Sequence, residues 1–223
     1  MYALTSLRAL RNTVLALALA ACSSLAAART IHVAIDTSTG FGTSGWLDMQ
    51  FNGAPGETPE LATVLVSNFT GFDAGALVEL SGEVSGSLAS GYLFSNLPGW
   101  NDLFHGVAFG GVLGFDLTFE GAADLNAFVS QSLFTISAFA DDKTTFLGNY
   151  GPDGSLANLT WTPSGVVGGN GSIAIGISDP AAVTAVPEPS DWLLTGTGLA
   201  LMLLVARRRR ATAPAQPGQM LAA

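Results

Sequence analysis

The sequence predicts an all-β body, a single β-sandwich or jelly-roll-like domain, set between two terminal segments of different character. Three observations carry this. Apolar and polar residues alternate with period two over much of residues 30–180, the pattern of half-buried strands. Turn residues punctuate the alternation, as at Thr39-Gly40, Asn52-Gly53, Pro98-Gly99, Asp153-Gly154 and Gly168-Gly169-Asn170-Gly171. The 223 residues give room for one domain of ordinary size, with 27 glycines and 10 prolines, suiting short strands joined by tight turns.

The strands follow in order. Ile31, Val33 and Ile35 alternate with Thr30, His32 and Ala34. Leu47, Met49 and Phe51 alternate with Asp48, Gln50 and Asn52. Val64-Leu65-Val66 leads into Asn68-Phe69-Thr70, and Leu77 to Leu80 precedes a break at Gly82 before Val84 to Leu88. Leu113, Phe115, Leu117 and Phe119 alternate with Gly114, Asp116, Thr118 and Glu120, the cleanest strand in the chain. Phe134, Ile136 and Ala138 repeat the pattern, as do Ile173, Ile175 and Ile177. About nine to eleven strands are expected, with one short helix over Ala122 to Val129. No strand and helix alternation suggests a doubly wound sheet.

Charge divides the chain in three. Residues 1–28 carry Arg8 and Arg11 and no acid. Residues 29–186 carry Arg29 and Lys143 against 15 acids, a net of −13. Residues 187–223 carry four arginines against Glu188 and Asp191. So acidic a body argues against nucleic acid, whose phosphates need Lys and Arg. Apolar content of 48% argues against a wholly disordered chain.

Both ends read as addresses. In residues 1–28 the two arginines precede the apolar run Val14 to Ala21, whose eight residues reach only about 12 Å as a helix, too short to span a bilayer. This is the pattern of a secretion signal. Small residues at Ala26-Ala27-Ala28 suit cleavage before Arg29, the preferred reading. Leu19-Ala20-Ala21-Cys22 resembles a bacterial lipobox, which makes Cys22 a candidate lipidation site. Cys22 is the only cysteine, so a body cut after Ala28 has no thiol for a disulfide or a metal.

At the other end a linker over 182–191 contains Pro187, Glu188 and Pro189. An uncharged run of 15 residues over 192–206 follows, and as a helix it reaches about 22 Å, enough to insert in a thinned bilayer. Its anchoring residues are Trp192, Leu193, Leu194, Leu199, Leu201, Leu203, Leu204 and Val205. Arg207, Arg208, Arg209 and Arg210 form a basic stop suited to a cytoplasmic face, and an Ala/Pro/Gln-rich tail completes 207–223.

This order of Pro-Glu-Pro, short apolar helix and arginine cluster resembles the PEP-CTERM sorting signal of Gram-negative bacteria. The body also resembles a short β-rich family of such proteins, through Ile31 to Ser38, Gly45 to Asn52, Ser132 to Phe139 and Gly151 to Leu156. The resemblance implies export, transient membrane anchoring and cleavage near the motif by an exosortase, a membrane-embedded cysteine protease. It implies release to the envelope or outside, in bacteria that make exopolysaccharide and biofilm. It supplies no catalytic residues. The 13 residues after the arginines depart from the family, which usually ends sooner.

Little chemistry stands out in the body, and no enzyme is expected. There is no G-x-S-x-G elbow, and His32 and His105 read as ordinary strand or surface histidines. Nothing singles out a carboxylate pair for glycoside hydrolysis. No metal site and no cofactor are expected. Calcium is a candidate ligand for the loops Asp36 to Gly40, Asp141-Asp142 and Asn149 to Gly154, none of which has a D-x-D-x-D-G pattern. Trp100, in Leu97-Pro98-Gly99-Trp100-Asn101-Asp102, either plugs one end of the sandwich or offers its face to a sugar. The expected partners are the secretion machinery, an exosortase, the membrane and exopolysaccharide. The expected function is that of an exported matrix protein, structural or exopolysaccharide-associated, with a carbohydrate-binding module as the alternative and a secreted hydrolase behind it.

Overall fold

A computed structural model describes residues 29–54, 59–97, 99–126, 129–169 and 171–187, with Gly198, Leu199, Leu201 and Met202. The chain divides into a body ending at Pro187 and a unit beginning at Glu188.

The body is all-β, built of two antiparallel sheets of six strands each. Its strands are β1 (Arg29–Asp36), β2 (Ser44–Gly53), β3 (Ala62–Thr70), β4 (Val78–Ser81), β5 (Val84–Ser87) and β6 (Gly91–Ser95). They continue as β7 (Asp102–Ala108), β8 (Val112–Gly121), β9 (Ser132–Phe139), β10 (Ala157–Thr162), β11 (Ser172–Ile177) and β12 (Val183–Pro187). The first sheet runs β12-β1-β8-β3-β6-β5 and the second β11-β10-β9-β2-β7-β4. This arrangement is consistent with a β-sandwich.

Alternation decides which side of each strand is dry. Ile31, Val33 and Ile35 of β1 and Leu113, Phe115, Leu117 and Phe119 of β8 are buried from the first sheet. Leu47, Met49 and Phe51 of β2 and Phe134 and Ile136 of β9 are buried from the second. All belong to one hydrophobic cluster, so the two sheets share a core. Phe134 sits at its centre. Its ring lies 6.4 Å from Phe51 in its own sheet, and 5.7 Å from Phe94 and 6.2 Å from Phe119 in the other.

Close approach needs a glycine at one point of β2. A Cβ on Gly45 would collide with the Phe139 carbonyl oxygen and stand 2.8 Å from the Phe109 ring, nearer than real contacts allow.

Two local expectations change. Residues 122–126 are irregular rather than helical. The reason is Asp124, whose Oδ1 accepts from the Asn126 N–H and whose Oδ2 accepts from the Ser130 N–H, each at 2.9 Å. Asp in this role turns the chain and competes with helix. The segment expected as linker from residue 182 holds β12, which pairs with β1 from Ile35↔Val183 to Ile31↔Pro187. The body therefore runs to Pro187.

Cys22, Glu188, Pro189 and Arg207 to Arg210 lie outside the described residues. Of the anchor residues only Leu199 and Leu201 are described, both in helical conformation. Among the described residues no helix is long and apolar enough to cross a membrane.

Candidate functional site

The outward face of the second sheet gathers the chemistry. In β2 the core takes Leu47, Met49 and Phe51, so Trp46, Asp48, Gln50 and Asn52 turn outward. In β7 the core takes Leu103, His105 and Val107, so Asp102 and Phe104 turn outward. In β9 Leu133, Thr135, Ser137 and Phe139 share that side.

Register places these residues in rows. Thr135, Gln50 and Asp102 are directly opposite across β9, β2 and β7. Ser137, Asp48 and Phe104 form the next row, and Phe139 and Trp46 the row beyond. The far row is aromatic. Trp46 meets Phe104, Phe104 meets Phe139, Phe139 meets Phe146 and Phe146 meets Tyr150, with centroids 4.6 to 6.5 Å apart. Lys143 Nζ stands 4.0 Å over the Trp46 ring and pairs with Glu79.

Asp48 is the unusual member. It is 1% exposed. Its Oδ2 accepts from Gln50 Nε2 at 2.6 Å, while its Oδ1 has no partner among the described residues. Burial pushes its carboxyl up to about 7. The Gln50 bond pulls the other way, and the nearby Asp102 charge adds to the rise. Asp48 is sealed from solvent and serves to hold Gln50.

Trp100 does not plug the sandwich. It is 62% exposed, and its indole N–H donates to Asp102 Oδ2 at 2.6 Å. Asn101 is buried behind it, its N–H donating to Asn52 Oδ1 and its Nδ2 to the Phe51 carbonyl. These bonds tie the indole to a rigid strand pair. Beside them an open groove of 330 Å³ is lined in part by Gln50, Asn52, Gln131, Thr135 and Thr160.

The two histidines are separated. His105 is buried on the core side of β7, opposite Asp102, with its Nδ1 2.8 Å from the Gly106 carbonyl and its ring edge-on to Phe72 and Tyr92. Burial lowers its pKa and favours the neutral ring. His32 lies on the outward face of the first sheet, Nδ1 2.6 Å from Asp116 Oδ1, and Asn68 Nδ2 donates to the other Asp116 oxygen. That cluster ties β1, β8 and the bulge of β3 together.

The candidate calcium loops engage their own carboxylates. Asp36 and Asn149 do line one recess of 350 Å³ with Asp179. There Asp179 accepts from the N–H groups of Asn149 and Ala182, and Asp36 accepts from the Ser38 N–H. Asp153 caps Ser155 and accepts from Asn158 Nδ2, and Asp142 accepts from Thr144 and Thr145. These bonds hold the Asp142 carboxyl well below its ordinary range. Among the described residues no three His, Cys, Asp or Glu side chains converge as metal ligands. In each loop the carboxylate closes a turn of its own chain segment.

No protein-family model, curated protein or solved structure matches the chain.

Proposed function

We propose that this is an exported envelope protein of the PEP-CTERM kind, with a jelly-roll-like β body that resides in or on the surface polysaccharide. The fold reading is supported by strand order. Strands β1, β8, β3 and β6 lie side by side in one sheet and β2, β7 and β4 in the other, the interleaving of a double Greek key. Among the first eight strands β5 departs, pairing with β6, and β9 to β12 extend the sheets beyond β2 and β1.

The observation that carries the sorting reading is where the body stops. Its last strand ends on Pro187, the first residue of the Pro-Glu-Pro motif, so Glu188, Pro189, the apolar run and the arginines come after the sheets in the sequence. A protease acting beyond Pro187 would leave the sheets intact. In this reading the chain is anchored by 192–206, halted by Arg207 to Arg210, and cut by an exosortase.

Intact mass of the product from an exosortase-bearing Gram-negative host tests this. The expected product starts at Arg29, or at a lipidated Cys22, and has lost the arginine cluster. Glu188→Ala is expected to leave it unprocessed, and deletion of Arg207 to Arg210 to change its cell fraction. Full-length chain, soluble inside the cell and untrimmed at both ends, would overturn the reading.

A carbohydrate-binding module is the second reading, favoured by the exposed and immobilised Trp100. Binding suits this face better than catalysis. Asp48 is sealed, Asp102 is engaged by an indole, and the histidines lie on other faces.

A further inference from the structure

We propose that the outward face of the second sheet binds an uncharged polysaccharide, lying across the strands over Thr135, Gln50 and Asp102 with one sugar ring against Trp100. The proposal rests on the carbohydrate-binding reading above and names its ligand class and contacts.

The row is continuous because its members are direct cross-strand partners. With strands about 4.8 Å apart, three strands and the flanking groove offer a track long enough for several sugar units. The groove beside it mixes amides and hydroxyls, from Gln50, Asn52, Gln131, Thr135 and Thr160, with apolar surface from Ala54 and Leu133. Such groups both donate and accept, which matches sugar hydroxyls.

Two of the contacts are set in advance. Gln50 Nε2 is held by buried Asp48, which fixes the side-chain amide in the row. Trp100 is held by Asp102, so its exposed ring loses little freedom when a sugar stacks on it. Rigid aromatic faces and fixed amides lower the ordering cost of binding.

Charge selects the ligand. Asp102 lies in the row and Glu79 beside it, while Lys143, the one nearby cation among the described residues, is paired with Glu79. A polyanion such as a uronate polymer meets only repulsion here. An uncharged chain can exchange hydrogen bonds with the half-buried Gln50 amide, while Asp102, buried and held by the indole, keeps its charge beneath the row, and the sugar's apolar ring face can lie on the indole.

Native gel electrophoresis of the full chain in detergent, with soluble polysaccharide cast into the gel, tests this. The probes are hydroxyethylcellulose, galactomannan and, as the polyanion, alginate. Retardation is expected in at least one neutral gel and not in alginate. Trp100→Ala is expected to abolish it. Gln50→Ala and Thr160→Val are each expected to weaken it about fivefold, the effect of one lost hydrogen bond. Thr30→Ala, on the other sheet, should leave it unchanged, and unfolding midpoints confirm that each variant folds. No retardation in any neutral gel overturns both this proposal and the carbohydrate-binding reading. Retardation lost with Trp100→Ala but unaffected by Gln50→Ala and Thr160→Val overturns the row and leaves that reading standing. Equal retardation in alginate overturns the choice of an uncharged ligand.

Discussion

Replacing Asp48 by asparagine should leave the body about as stable as the parent at pH 4 and make it more stable at pH 8. The unfolded chain loses the Asp48 proton near the ordinary carboxylate value, whereas the folded chain keeps it up to about 7. Below the unfolded value both states are protonated and there is no penalty. Between the two values the unfolded state ionises first, so stability falls as pH rises. Above about 7 both are ionised and the deficit is constant. A rise of this size corresponds to about 4 kcal/mol. Asp48→Asn removes that slope, and its amide N–H takes the place of the protonated acid's O–H, neither of which finds a partner at Oδ1. The gain at pH 8 is therefore up to about 4 kcal/mol. Urea unfolding of both chains from pH 4 to pH 8 checks this. A difference that does not change with pH would show that Asp48 ionises normally in the fold.

The second large effect is expected at Phe134. Its ring touches aromatic neighbours in both sheets and is fully buried. Phe134→Ala should cost about 3–5 kcal/mol, by lost transfer energy and an unfilled cavity between the sheets. Domains of this kind are held by only about 5–15 kcal/mol, so the urea midpoint should fall steeply. Phe134→Leu keeps most of the volume and should lose less. If Phe134→Ala unfolds with the parent's midpoint, the two sheets do not share the core described for them.

The core was legible because it depends on local alternation. Ile31, Val33 and Ile35, Leu113 to Phe119, and Phe134 with Ile136 can be read from the spacing of apolar residues alone, and each is buried. What alternation does not contain is partnership. The short strands β4 and β5 carry exposed residues on nearly every position, and β12 reads as linker until β1 is seen to pair with it. The Asp124 turn defeats a helix through bonds to N–H groups two and six residues on.

The candidate site was legible in pieces. Asp48, Gln50 and Asn52 are visible as the polar side of β2, and Trp100 as an aromatic in a polar loop. Their assembly depends on the register of β2 with β7 and β9, which brings Asp102 and Thr135 to either side of Gln50. The burial of Asp48 depends on those same neighbours, so no local pattern announces it.

The pairing of Ile31 with Pro187 has a practical outcome. Antiparallel partners stand about 5 Å apart, so the body's first and last strands begin and finish at one pole. A few small residues could join them into a circle. New ends could then be opened in the turn between β10 and β11, giving a rearranged gene whose product keeps every strand pair described above.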